Sequence, residues 1–252
     1  MNLDPYIGSP DYAPRSFAGY VTAGYPSFKD SLRVLSSCCA SGLNVLELGF
    51  PASDPYLDGE VLRKVHSGID CSLAYDMDYW REVRESITVP IWIMGYRRDL
   101  MANDMCIKMA EEHLYDAIVI PDAGFAERQE LRQRLSSLGI AVFDFINTCM
   151  SPDEIDSELE ASDLVYFQLY HGKTGIVHND DAYLPLYDYA RKHSRVRLFA
   201  GFGINSPERV KELLGHGFDG VIIGSAIMKR LAEDEEEAHR FIEMIHQACE
   251  EI

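Results

Sequence analysis

The chain has 252 residues, enough for one sizeable core, and an ordinary globular composition of 47% hydrophobic and 25% charged residues. Its 41 acids against 23 lysines and arginines give a formal charge of −18, which argues against nucleic acid or a membrane surface as partner; a local basic pocket for a phosphate stays compatible with it. Six cysteines with no CxxC pair, an N-terminus (MNLDPYIGSPDYAPRS) without the apolar core of a signal peptide, and no bilayer-length apolar run argue against a disulfide framework, a zinc site or an anchor. The expectation is a cytoplasmic protein.

Residues 1–16, with Pro5, Gly8, Pro10 and Pro14, read as an irregular arm packed over one end of the domain. After it, short β-rich runs alternate with helical patterns. Strand 17–22 leads to helix 27–41, and strand 45–48 to helices 60–67 and 75–86. Strand 91–94 is followed by helix 104–112, strand 117–120 by helix 126–138, and strand 141–146 by helix 152–159, with Ser151 as N-cap. Strand 164–169 precedes helix 184–192, strand 197–200 precedes helix 206–214, and strand 220–223 precedes a C-terminal helix. The acidic run that begins at Glu233 reads as a solvated face of that last helix. Eight strands, each followed by a helix, spell an α/β fold: one (β/α)8 barrel of the TIM type spanning 1–252. An open doubly wound sheet is the alternative, but its Gly-x-Gly-x-x-Gly turn is missing after the first strand.

Two features carry chemistry. Glu47 stands at the carboxyl end of a buried strand, where an acid is costly unless it is paired or used, and the loop beyond it brings Asp54 and Asp58. Glycine loops follow strands six, seven and eight: Gly172-Lys-Thr-Gly175, Gly201-Phe-Gly203 and Gly224-Ser225. Read singly they make tight turns; on adjacent strands of a barrel they suit a phosphate pocket, with a helix N-terminus after Ser225. Two carboxyls on one side and a phosphate cradle on the other suit proton shuttling on a phosphorylated substrate. His171 and His178 in the strand-six loop are candidate helpers or simply solvated.

The stretch Leu46-Glu-Leu-Gly-Phe-Pro-Ala-Ser-Asp-Pro-Tyr-Leu-Asp-Gly59 resembles the signature E-(L/I)-G-x-P-x-S-D-P-x-x-D-G of the tryptophan synthase α-subunit family. Tyr20-Val-Thr-Ala-Gly-Tyr-Pro26, Met94-Gly-Tyr96, Ile120-Pro-Asp122, Thr174-Gly175, Gly201-Phe-Gly-Ile204 and Gly224-Ser225 are similar to further family segments, so that the resemblance spans roughly residues 17–230. It implies retro-aldol cleavage of indole-3-glycerol phosphate to indole and glyceraldehyde 3-phosphate, without cofactor or metal. It also implies Glu47 moving the proton at indole C3, Asp58 engaging the indole nitrogen and Tyr166 beside the glutamate. Gly175, Gly203, Gly224 and Ser225 would hold the phosphate; Tyr20, Met94, Val119 and Phe202 would flank the indole. A β subunit would dock on the loops after strands two and six.

The chain departs from the family at the proline-rich arm, at Arg97-Arg98-Asp99, at Ala123-Gly124, at Tyr170-His-Gly-Lys-Thr-Gly175 and at Asp144, a charge inside a strand. A related barrel lyase retuned for another phosphorylated substrate, and a weakly catalytic allosteric partner of a β subunit, are the readings that remain beside the first.

Overall fold

The computed structural model describes residues 15–162, 164–170, 172 and 181–252; the rest of the arm, and Gly175, His171 and His178 in the strand-six loop, lie outside the described residues. The strands are β1 (Ser16–Thr22), β2 (Val45–Gly49), β3 (Ile91–Met94), β4 (Ala117–Val119), β5 (Ala141–Val142), β6 (Asp144–Ile146), β7 (Leu164–Gln168), β8 (Arg197–Gly201) and β9 (Gly220–Ile223). All their pairings are parallel, in the order β5-β4-β3-β2-β1-β9-β8-β7-β6. The two ends of this order, β5 and β6, are separated only by Phe143, so the sheet closes on itself through the chain. The expected fifth strand, 141–146, is thus one barrel strand broken at Phe143. Phe143 N–H still donates to Ile118 of β4 at 3.0 Å, while Asp144 already pairs with Val165 of β7. The result is a barrel of eight strands, one of them broken.

Parallel strands require crossovers, and the helices supply them: α1 (Phe28–Ala40), α2 (Glu60–Ser67), α3 (Met77–Ser86), α4 (Arg97–Leu100), α5 (Met105–Glu111), α6 (Phe125–Leu135), α7 (Pro152–Ala161), α8 (Leu184–His193), α9 (Pro207–His216), α10 (Ser225–Glu233) and α11 (Glu235–Glu250). Among the described residues none is long and apolar enough to cross a membrane. Starts follow capping chemistry. Ser27, Ser151 and Ser206 accept from main-chain N–H groups of α1, α7 and α9. Asp76 caps α3, which moves that helix's start to Met77 and leaves Cys71–Tyr75 as a separate 3-10 turn.

The acidic run is largely exposed, as expected of a solvated helix face, but it straddles a helix break. Asp234 breaks the C-terminal helix in two and caps α11 by accepting from the N–H groups of Glu236 and Glu237. The glutamates then fill the first turn, where negative charge complements the helix dipole, and Glu235 pairs with Arg33 of α1 at 2.5 Å.

Inward side chains plug the barrel. The rings of Trp92, Phe143 and Phe199 meet with centroids 4.7 Å (Trp92–Phe143), 4.9 Å (Trp92–Phe199) and 6.0 Å (Phe143–Phe199) apart. Strand residues that alternate with them point outward into the helix layer, and there Asp144, next to Phe143, finds its partners. Fully buried, it accepts from Arg128 Nε at 2.8 Å and Arg132 Nη2 at 2.7 Å, both on α6. Arg128 also grips both carboxylate oxygens of Glu158 on α7 and lies 5.4 Å from the Phe145 ring centroid. The charge inside the strand is therefore one corner of an ionic clamp that seats α6 and α7 on the broken strand. Truncating one member of such a buried network leaves the others uncompensated. Arg128→Met is expected to lower the unfolding free energy by about 3–5 kcal/mol, measured by urea denaturation; a loss below 1 kcal/mol would show that Arg132 suffices alone.

Candidate active site

The alternation of β2 turns Val45, Glu47 and Gly49 inward and Leu46 and Leu48 outward. Glu47 is only 3% exposed and lies level with Tyr20 of β1 and Trp92 of β3. No ion pair reaches it among the described residues. Burial, and secondarily the charge of Asp58, push its carboxyl up to about 8, so near neutral pH it keeps its proton. Asp58, 1% exposed, comes from the loop between β2 and α2, and Tyr96 O–H donates to its Oδ2 at 2.8 Å. One buried carboxyl is thus a proton store, and the other is held as a hydrogen-bond acceptor.

Glu47 and Asp58 open into a cavity of about 550 Å³. Tyr20, Met94, Val119, Tyr166, Phe202, Gly203, Gly224 and Ser225 line the same cavity, so every candidate site residue within the described part of the chain converges on it. Tyr166 stands on β7 with its ring stacked on Phe145 (centroids 5.7 Å) and edge-on to Phe202 (5.9 Å). Burial and the charges of Glu47 and Asp58 raise its phenol well above the usual range. Its ring occupies the space over Gly201, where a Cβ would lie 2.3 Å from Cε1.

After β8 the chain reverses through two consecutive left-handed residues, Phe202 (φ 76°) and Gly203 (φ 71°). A bulky residue in that region is held there against its own preference. The turn sets the Phe202 ring against Tyr166 and Tyr170. From β9 the chain enters α10 through Gly224, with no side chain capping the first turn. Gly224, Ser225 and Ala226 of this first turn line the cavity, and helix N-termini bind anions through such main-chain N–H groups.

Two contributors escaped the sequence reading. Tyr96 was noted only as part of a motif, and its bond to Asp58 spans 38 residues. His66, an unremarkable histidine of α2, is buried; its Nε2 is 3.2 Å from Tyr20 Oη, and its Nδ1 accepts from the main-chain N–H of Ala52 at 3.2 Å. Nothing around His66 in the sequence marks it. The rim is also stitched together. Ser53 donates to Asp99 at 2.7 Å, and Arg97, one of the departures from the family, pairs with Glu127 at 2.8 Å and donates its main-chain N–H to Asp122 at 2.8 Å.

The raised Glu47 carboxyl has a consequence for stability. A group whose folded value exceeds its unfolded one adds stability that is complete below the usual value near 4.5 and is lost as pH rises through about 8. Glu47→Gln removes that dependence. Its unfolding free energy should gain on the wild type between about pH 5 and pH 8.5, by something on the order of 2–5 kcal/mol, and run parallel above. Urea titrations across that range check it; a constant difference would mean that Glu47 is ionised throughout.

The chain matches a family model described as "Tryptophan synthase alpha chain" over residues 12–252. Among relatives of that name, the protein of Petrotoga mobilis is 27% identical over 235 residues, covering 90% of each chain, and that of Chlorobium limicola is 30% identical over 229 residues, covering 84% of this chain and 85% of its own. The fold superposes on a tryptophan synthase structure from M. tuberculosis with a TM-score of 0.82 at 20% identity, covering 98% of both chains. It superposes on tryptophan synthase subunit alpha of Legionella pneumophila with a TM-score of 0.78 at 22% identity, covering 94% of both. The chain belongs to the tryptophan synthase alpha chain family.

Proposed function

We infer that the chain is a carbon–carbon lyase of tryptophan biosynthesis that cleaves indole-3-glycerol phosphate to indole and glyceraldehyde 3-phosphate, and we propose that Glu47 and Asp58 carry the proton transfers. Family membership supplies the reaction. The observation that carries the residue roles is one cavity with two buried carboxyls of unlike surroundings on the β2 side and an uncapped helix N-terminus on the β9 side.

The chemistry follows from what must move. The ring leaves as a stabilised carbon acid only after its C3 gains a proton and its nitrogen gives one up. Protonated Glu47 delivers the first, and Asp58, held by Tyr96, accepts from N–H. The glutamate, now ionised, takes the proton of the neighbouring side-chain hydroxyl. The carbon–carbon bond breaks, its electron pair returns to the ring, and the nitrogen recovers its proton. Tyr166 borders the glutamate, Tyr20, Met94, Val119 and Phe202 flank the ring, and Gly203, Gly224 and Ser225 cradle the phosphate, with Gly175 assigned to the same cradle. Lys229 and Arg230, farther along α10, also line the cavity and add positive charge.

The partner we propose is a tryptophan synthase β subunit in a cytoplasmic setting. The support is the family and a rim at the carboxyl ends of β2, β3 and β4. There Tyr56 (47% exposed) and Phe125 (39% exposed) stand beside the bonded Arg97, Asp122 and Glu127.

Glu47→Gln and Asp58→Asn should each reduce indole release from indole-3-glycerol phosphate by at least about 100-fold with the fold intact by circular dichroism. Turnover by the wild type should fall as pH rises through about 8, where Glu47 loses its proton. Unchanged turnover in Glu47→Gln would sink the assignment. Added β subunit should raise the rate and co-elute in gel filtration, and separate elution with no gain would remove the partner.

A further inference from the structure

The hydroxyl of Tyr20 lies at the cavity and holds two hydrogen-bond partners. Its ring crosses the face of Gly49, where a Cβ would lie 2.2 Å from Oη, so only glycine at that position leaves the hydroxyl room. Thr22 Oγ1 donates to Oη at 3.3 Å, and His66 Nε2 lies 3.2 Å away. Because His66 Nδ1 accepts the N–H of Ala52, that nitrogen carries no proton. The neutral imidazole therefore bears its proton on Nε2 and gives it to Tyr20. Burial, against a smaller opposing effect of Asp99, holds His66 down at about 4, so this tautomer persists across the working range.

With two donors already on the phenol oxygen, its own O–H points away from both. Tyr20 lines the cavity together with Glu47, Asp58, Tyr96 and Tyr166, and of the two acids the charge of Asp58 raises its phenol more than that of Glu47. The two acids have opposite tasks. Burial, helped by the charge of Asp58, keeps the proton on Glu47; an equally buried Asp58 needs donors to stay ionised. Tyr96 is one such donor.

We propose that Tyr20, aimed by His66, is a second donor that favours negative charge on Asp58, and that His66 is thereby a positioning residue for the reaction. The proposal rests on the reading of Glu47 and Asp58 as the acid/base pair. It gives Tyr20 a role beyond flanking an aromatic ring, and it ties that role to the loop after β2 through Ala52.

The test uses the whole chain with Tyr20→Phe, His66→Leu, His66→Gln and the Tyr20→Phe/His66→Leu pair. Two readouts are followed: the pH profile of indole release, and a substrate-free NMR titration of the side-chain carboxyls, with the Asp58 signal assigned through Asp58→Asn. Tyr20→Phe and His66→Leu should each lower kcat about 10-fold, as expected for loss of a hydrogen bond to a charged group. Each should also raise the pH at which Asp58 titrates by about one unit. The double variant should be no slower than either single one. His66→Gln should recover most of the loss, because an amide accepts from Ala52 and donates to Tyr20.

An Asp58 titration identical in wild type and Tyr20→Phe overturns the proposal, and so do losses that multiply in the double variant. Should the wild type release no indole while Tyr20→Phe still moves the Asp58 titration, the lyase reading fails and the donor role of Tyr20 stands.

Discussion

A carboxylic acid deep inside a barrel sets the terms for everything around it. Ionised and unpaired, Glu47 would be expensive; neutral, it is tolerable and chemically useful. The interior therefore has to be dry on one side and hydrogen-bonding on the other. The plug of Trp92, Phe143 and Phe199 supplies the dry side, since none of the three lines the cavity. The loops after β2 and β3 supply the polar side, where Asp58 meets Tyr96. Two acids of the same chemistry differ because burial dominates at Glu47, while Asp58 accepts the Tyr96 hydroxyl.

The end of the cavity proposed for the phosphate is governed by a different constraint. A chain of formal charge −18 repels an anion at long range. Close-range main-chain N–H groups of α10 offset this without introducing a cation that would pair with the acids and pull Glu47 back towards its usual range. Of the three cations lining the cavity, Arg128 is held by Asp144 and Glu158, and Lys229 and Arg230 stand a turn further along α10. Arg230 is occupied, donating to the Ala226 carbonyl and covering the Phe241 ring.

Local signals in the chain were legible where one residue or a short period decides. Ser151 and Ser206 mark their helix starts, and the apolar runs at 45–48, 91–94 and 220–223 are strands. Glu47, Asp58 and the glycines after β8 and β9 were found because motifs place them on known strand ends. What escaped depends on distance in sequence. The pairing of Arg128 with both Asp144 and Glu158 unites three elements, and the contact of His66 with Tyr20 spans 46 residues. The break at Phe143 is one residue long, too short for any periodicity to register. The run from Glu233 was rightly read as solvated, but charge density looks the same on a helix face as at a helix start, and only the geometry of Asp234 separates them.

The break at Phe143 also divides the chain into two half-barrels, β1 to β5 and β6 to β9. The first half owns Glu47, Asp58, Tyr96 and His66, and the second owns Tyr166, Phe202, Gly203 and the α10 amides. Neither half holds both a proton donor and an anion cradle. They meet along two seams, the β1–β9 ladder and the ionic clamp that Arg128 forms with Asp144 and Glu158 across the break. A substrate that touches both the acids and the cradle bridges the first of these seams. Its length is therefore a gauge of barrel closure, and binding it rewards the closed barrel over any state in which the halves have parted.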